Sequence, residues 1–200
     1  MNEVENYRFS KDRAIGALLG LAVGDAVGTT LEFKARDSRP PLTDMVGGGA
    51  FRLKPGEWTD DTSMALCLAE SLVAKGGEVD PDDLMSRFLR WYRQGENSVT
   101  GRCFDIGIAT RSALDRFERT GENAAMLPPD PQGAGNGTLM RLAPVAIVAG
   151  PDVSRAKELA EAQSRTTHRA PAAHDACQLF AAMLVEAIAG VPKEEVLRVR

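Results

Sequence analysis

Apolar residues in this chain recur three and four positions apart and almost nowhere alternate, which commits it to helices and leaves no material for a sheet. Ser10 precedes Ala14, Ala17, Leu18 and Leu21, a capped helix expected to end near Gly24. Thr59 opens a second apolar stripe, Ala65, Leu68, Ala69, Leu72 and Val73, stopped by Gly76-Gly77. Asp80-Pro81 pairs an N-cap with an N1 proline, and Leu84, Phe88, Trp91 and Tyr92 form the buried face of a third helix ending at Gly95. A fourth helix is predicted from Cys103 or Phe104 to Thr120, and a fifth after Gly137, bent or divided by Pro144. Two more span Ser154–Thr166 and Ala172–Ile188, and Pro192-Lys193-Glu194-Glu195 announces a last one. The stretch Phe33–Lys54 has neither period and reads as loop. The predicted class is all-α, a multi-helical single domain over residues 1–200, since apolar patterning resumes directly after the Pro- and Gly-rich loop 127–137.

At 200 residues such a chain buries roughly 70% of its unfolded surface. Lys and Arg number 24 against 28 Asp and Glu, a net charge of −4 with no basic run, so non-specific nucleic-acid binding is excluded. The longest apolar stretch, Ala14–Val23, is too short for the roughly 30 Å core of a bilayer, and no membrane span is expected. The N-terminus mixes charges and lacks an apolar signal region, which places the protein in the cytoplasm. Cys67, Cys103 and Cys177 form no Cys-x-x-Cys pair and read as free thiols, the first and last in the core. With two histidines, His168 and His174, the chemistry falls to carboxylates and hydroxyls.

Four places carry such chemistry. Thr59-Asp60-Asp61-Thr62 sets two carboxylates and two hydroxyls at a helix start, hard oxygen donors suited to Mg²⁺ or Mn²⁺. Successive helical residues point about 100° apart, so two neighbouring ions suit the pair better than one. The plain alternative is an N-cap with acids complementing the helix dipole. Gly24-Asp25-Ala26-Val27-Gly28 with Glu32 places acids beside a turn, or simply exposes an acid at a helix exit. Gly135-Asn136-Gly137-Thr138 leads into a helix and can cradle a phosphate on free backbone N–H groups, though it lacks the strand and lysine of a P-loop. His168 lies between two helices, where an imidazole can reach a shared pocket, or can be merely structural.

Taken in order, these segments resemble the ADP-ribosylglycohydrolase family, in particular its dinitrogenase-reductase-activating branch. The matching stretches are Gly16 to Ala26 with Glu32, Trp58 to Thr62, Gly101 to Gly107, Gly135 to Arg141, and Thr167-His168. The resemblance implies an all-α fold with a binuclear Mg²⁺ or Mn²⁺ site at the bottom of an ADP-ribose cleft. It implies Thr59, Asp60 and Asp61 as metal ligands, and Glu32 and Asp105 as catalytic carboxylates. Gly135, Asn136, Gly137, Thr138 and Met140 would embrace pyrophosphate and ribose, with His168 lining the same cleft. The expected reaction is metal-dependent removal of ADP-ribose from a modified side chain, arginine first, or from a small ADP-ribose conjugate.

Family members also carry a C-terminal Asp-x-Asp-Thr segment supplying the rest of the metal site. Asp130, Asp152 and Asp175 are the aspartates after residue 115, and none has another two residues on. The last predicted helix runs into Arg200 without a stop signal. The expectation is therefore the N-terminal two-thirds of the family fold, truncated at the C-terminus, with a non-catalytic ADP-ribose-binding or structural member as the alternative.

Overall fold

The computed structural model describes residues 8–198. The charged N-terminal segment before Arg8 and the last two residues lie outside the described residues; the final helix, expected to run into Arg200, ends at Val196. Among the described residues eight α-helices follow one another: α1 (Lys11–Gly28), α2 (Asp60–Ala74), α3 (Pro81–Gln94), α4 (Ile108–Thr120), α5 (Ala143–Ala149), α6 (Val153–Arg165), α7 (Pro171–Ala189) and α8 (Lys193–Val196). Among the described residues there is no strand, and the one β-bridge joins Gly48 to Leu53 inside the loop between α1 and α2. All-α is the observed class.

Local signals place most helix ends. Asp80 caps α3 by accepting from the N–H groups of Asp82 and Asp83, and Gly95 closes it in the left-handed conformation. Asp152 caps α6 in the same way, and Gly121 and Gly190 end α4 and α7. The core lies where α2 and α3 meet α5, α6 and α7, around Met64, Leu68, Leu72, Phe88, Trp91, Leu142, Val145 and Ile188. The closest-packed pair is α6 with α7. Cys67 and Cys177 are buried free thiols, as expected of core cysteines.

Three boundaries differ from the sequence expectation. α1 does not stop at Gly24 but runs to Gly28. Gly in a helix costs up to about 1 kcal/mol, and here Asp25, buried in the last turns, offsets that by bonding across to α2. α4 begins at Ile108 and not at Cys103, because Gly101 and Asp105 take left-handed backbone angles that interrupt any helix. Phe104 instead packs on Phe51, with ring centroids 5.3 Å apart. The helix expected after Gly137 is divided: residues 137–141 form turns, and Pro144 sits in the first turn of α5, where its missing N–H is harmless.

α1 and α7 are long and apolar enough, by length and composition, to cross a membrane, unlike the Ala14–Val23 stretch taken alone. Both have a face in the bundle, with Ala14, Asp25 and Ala26 buried on α1, and Cys177, Ala181, Val185 and Ile188 on α7. The other face of α1 leaves Ile15, Leu19 and Val23 exposed.

Candidate active site

A cavity of about 500 Å³ opens where the end of α1, the start of α2, the turn before α4, the 135–140 turn and the α6–α7 junction meet. Five acids reach it: Asp25, Glu32, Asp60, Asp61 and Asp105. Asp25 organises them. Its carboxylate accepts from the Thr59 N–H (3.0 and 3.1 Å), the Thr59 hydroxyl (2.8 Å), the Thr62 N–H (3.0 Å) and the Thr62 hydroxyl (2.7 Å). An acid from α1 therefore caps α2, doing the work expected of the Thr59 side chain, which makes no cap bond of its own. Asp25 is thus a buried clamp and not the exposed acid of a helix exit.

The clamp holds Asp60 and Asp61 in a crowded place. Burial, then the charges of Asp61 and Asp105, push the Asp60 carboxyl up to about 9. Burial, with Asp25 and Glu32 nearby, pushes Asp61 up to about 7. Asp105 is held at a positive φ of 59°. Burial, then hydrogen bonding to Glu32 and that group's charge, raise its carboxyl to about 8.

The opposite wall carries no net negative charge. Gly135, Asn136, Gly137, Met140 and His168 line it. A Cβ on Gly137 would stand 3.0 Å from Thr110 Oγ1 and 3.1 Å from His168 Cε1, so glycine lets the turn close against both. His168 is buried, and loss of hydration lowers its imidazole to about 4, with Arg141 and His174 adding repulsion.

Of the residues expected at the site, Glu32, Thr59, Asp60, Asp61, Asp105, Gly135, Asn136, Gly137, Met140 and His168 line this cavity. Thr138 does not. It is fully buried, its carbonyl accepts from Gln163 Nε2 at 3.0 Å, and its hydroxyl faces the Cys177 thiol, because the turn points it toward α6 and α7. Asp25, expected as an acid beside a turn, and Thr62, expected to offer its hydroxyl as a hard oxygen donor, are instead bonded to each other, and Arg141 has no role expected from sequence. An acid inside an otherwise apolar helix was the available signal for Asp25.

Hard oxygen donors that repel one another and retain protons well above the usual carboxylate range suit divalent cations, whose charge would relieve that repulsion. Among the described residues, however, no three acidic, His or Cys side chains converge as a metal cluster. The residues fit one side of a cation shell in chemistry and charge.

A helical domain whose cleft opposes clustered acids to a glycine turn and a neutral histidine defines a class of ligand-binding or hydrolytic α-proteins. Comparison with known proteins narrows it. The ADP-ribosylglycohydrolase family profile matches residues 6–199. An ADP-ribosylarginine hydrolase of Pseudomonas putida is 55% identical over 186 residues, covering 93% of this chain and 49% of the relative. An ADP-ribosyl-[dinitrogen reductase] glycohydrolase of Rhodospirillum rubrum is 38% identical, covering 90% and 59%. A solved ADP-ribosylglycohydrolase-related protein complex superposes with a TM-score of 0.78 at 47% identity, over 93% of this chain and 59% of that one. The chain belongs to the ADP-ribosylglycohydrolase family, and it spans about half the length of the curated relatives it matches.

Proposed function

We propose that the cleft binds ADP-ribose attached to a protein side chain, arginine first, and hydrolyses the glycosidic bond. The reading rests on one observation: five acids drawn from three separate segments face a glycine turn and a neutral histidine across one cavity. The relatives named above act on ADP-ribosylated arginine and on ADP-ribosylated dinitrogen reductase, which supports a protein conjugate as substrate. The glycine turn offers backbone N–H groups to the pyrophosphate, and His168 offers a neutral edge that does not compete for charge.

Cleaving the anomeric C–N bond develops oxocarbenium character at the ribose carbon, and the departing nitrogen must gain a proton. Asp105 keeps its proton at neutral pH and is placed as the acid that donates it. Glu32, its hydrogen-bond partner, receives the proton from the water that replaces the nitrogen. Asp60 and Asp61, with the Thr59 hydroxyl oxygen, would hold Mg²⁺ or Mn²⁺, and Asp25 keeps those groups in place through the start of α2. Bound divalent cations supply Lewis-acid polarisation of the reacting centre.

The test incubates the protein with arginine-linked ADP-ribosylated protein, with Mg²⁺, with Mn²⁺ or with chelator, and follows free ADP-ribose. Cation-dependent release that disappears in Asp61→Ala supports hydrolysis. The absence of a three-carboxylate cluster among the described residues favours a second reading, a module that binds ADP-ribose without cleaving it. Calorimetric binding of ADP-ribose with no release at either cation selects that reading. Neither binding nor release overturns both.

A further inference from the structure

The proposed reaction leaves Arg141 without a task, although its burial is costly. The residue is completely buried, and no acidic group is among the charges acting on it. Removing a guanidinium from water without a counter-charge is unfavourable, and an apolar side chain of similar size would avoid that desolvation but leave the buried acceptors of Gln163 and Thr167 unpaired. The hydrogen bonds of Arg141 all run to one place, the C-terminal end of α6. Nε donates to Gln163 Oε1 (2.7 Å), and Nη2 donates to the Gln163 carbonyl (2.9 Å), the Thr167 hydroxyl (3.0 Å) and, at longer range, the Thr166 hydroxyl (3.4 Å), while Nη1 has no partner among the described residues. The negative end of the α6 dipole and the face of Phe88, 4.5 Å away, take the place of a carboxylate.

The bond to Thr167 has a further consequence. A guanidinium only donates, so Thr167 Oγ1 is the acceptor there and keeps its own proton to give. The partner within reach is His168 Nδ1, at 3.0 Å. Nδ1 then accepts, and a neutral imidazole whose Nδ1 accepts carries its proton on Nε2. Nε2 has no hydrogen-bond partner among the described residues, and the ring lines the cavity. A Cβ on Gly135 would stand 3.2 Å from Nε2, so the missing side chain is what leaves that N–H open to a ligand. The His168 carbonyl is held from behind by His174 Nε2 at 3.1 Å.

We propose that Arg141 is a positioning residue: acting through Thr167, it locks His168 in the Nε2–H form and aims that N–H into the cleft as a neutral donor to an oxygen of the ligand. The lock stands on geometry alone. The identity of the ligand, ADP-ribose, rests on the functional reading above.

The test is nitrogen-15 NMR of the labelled full chain, with His168 assigned by its loss in His168→Gln. A bare Nδ1 and a protonated Nε2 between pH 5.5 and 8 are expected, and an Nδ1-protonated ring in the unsubstituted, ligand-free chain overturns the proposal. Thr167→Val and Arg141→Lys, the second keeping charge but losing the fork, are expected to mix the two tautomers. In Thr167→Val the Kd for ADP-ribose should rise about three- to tenfold, the worth of one neutral hydrogen bond. Thr167→Ser should restore both readouts, and Gly135→Ala should weaken binding while leaving the tautomer pure. An unchanged tautomer and affinity in Thr167→Val overturns the lock, and a pure Nε2–H ring in Arg141→Lys removes Arg141 from it. A chain that binds no ADP-ribose fails the functional reading, while the tautomer still decides the lock.

Discussion

On the wall built from α1, α2 and the turn before α4, carboxylates crowd together and keep protons that a solvated aspartate gives up. On the wall built from the 135–141 turn and the end of α6, a single guanidinium is buried more deeply than any of these acids, but neutral oxygens and a ring face surround it. Both walls carry desolvated charge, yet only the second satisfies most of it from within. An array of like charges that the fold itself does not neutralise is poised to take up a cation or a proton, and it lowers stability until it does. A charge met largely by its own neighbours, with Nη1 alone left unpartnered among the described residues, can hold shape but is closed to a ligand by burial. The acid wall is thus built for binding and chemistry, and the Arg141 wall for geometry.

Removing a member from each wall should have opposite consequences. Asp61→Ala is expected to reduce release of ADP-ribose by roughly 10²–10⁴-fold, the scale of losing a charge-organising catalytic group. Its melting temperature at pH 8 should stay level or rise, because one repelling buried carboxylate is gone. Initial rates and a thermal melt on the same preparation check this, and full activity, or a large fall in stability, breaks the contrast. Arg141→Met should instead cost roughly 2–4 kcal/mol of folding free energy, because Gln163 and Thr167 lose a charged donor in the interior. Urea denaturation measures it. A variant as stable as the parent would place Arg141 with the acids, as a residue kept at the expense of the fold.

The same contrast explains what was legible in the sequence. Features that act within one turn of chain could be read directly: the Ser10 and Asp80 caps, the Gly95 exit, the end of α4 at Thr120, and the apolar stripes of α2 and α3. Features set by partners far along the chain could not. Gly24 looked like a helix end because the bonds that carry α1 past it come from residues 34 and 37 positions later. The start of α4 was misplaced because left-handed Asp105 answers to the cleft and not to local preference. Most site residues were found through their resemblance to a family, which fixes membership in a motif but not the direction a side chain takes. Thr138 lies in the right turn and points into the core. Arg141 belongs to the same motif, and no short-range pattern marks a guanidinium that caps a helix ending 24 residues later.

A smaller effect sharpens the division within the acid wall. Asp25 differs from its neighbours in that four donors from Thr59 and Thr62 meet its oxygens. Asp25→Ala leaves two N–H groups at the start of α2 unpaired and should cost about 1–2 kcal/mol, the range for a lost helix cap. Asp25→Asn, which keeps one acceptor oxygen, should lose less. If Asp25→Ala instead gains stability as Asp61→Ala does, Asp25 is another repelling acid and not a clamp.

The last difference between the walls is their response to pH, read without any variant. Asp60, Asp61 and Asp105 titrate near 9, 7 and 8 when folded, against 3.8 for an ordinary aspartate. Over the interval between, the folded state binds more protons than the unfolded one, so stability falls as pH rises. His168 works the other way. Its folded value near 4 lies below the ordinary 6.5, so the unfolded state binds the extra proton and stability climbs from pH 4 to 6.5. Below pH 6.5 the single His168 trend offsets only part of that of the three acids, and above it the acids act alone. In chelator, the melting temperature should therefore decline steadily between pH 6.5 and 9, each kcal/mol lost being worth about 2–4 °C for a chain of this size. Asp60→Asn should flatten the slope, and saturating Mn²⁺ or Mg²⁺ should flatten it further by taking the place of the protons. Thr167→Val, altered only on the neutral wall, should keep the full slope. A melting temperature that rises over this window would mean that the acids are already neutralised by the fold, and the distinction between the walls would disappear.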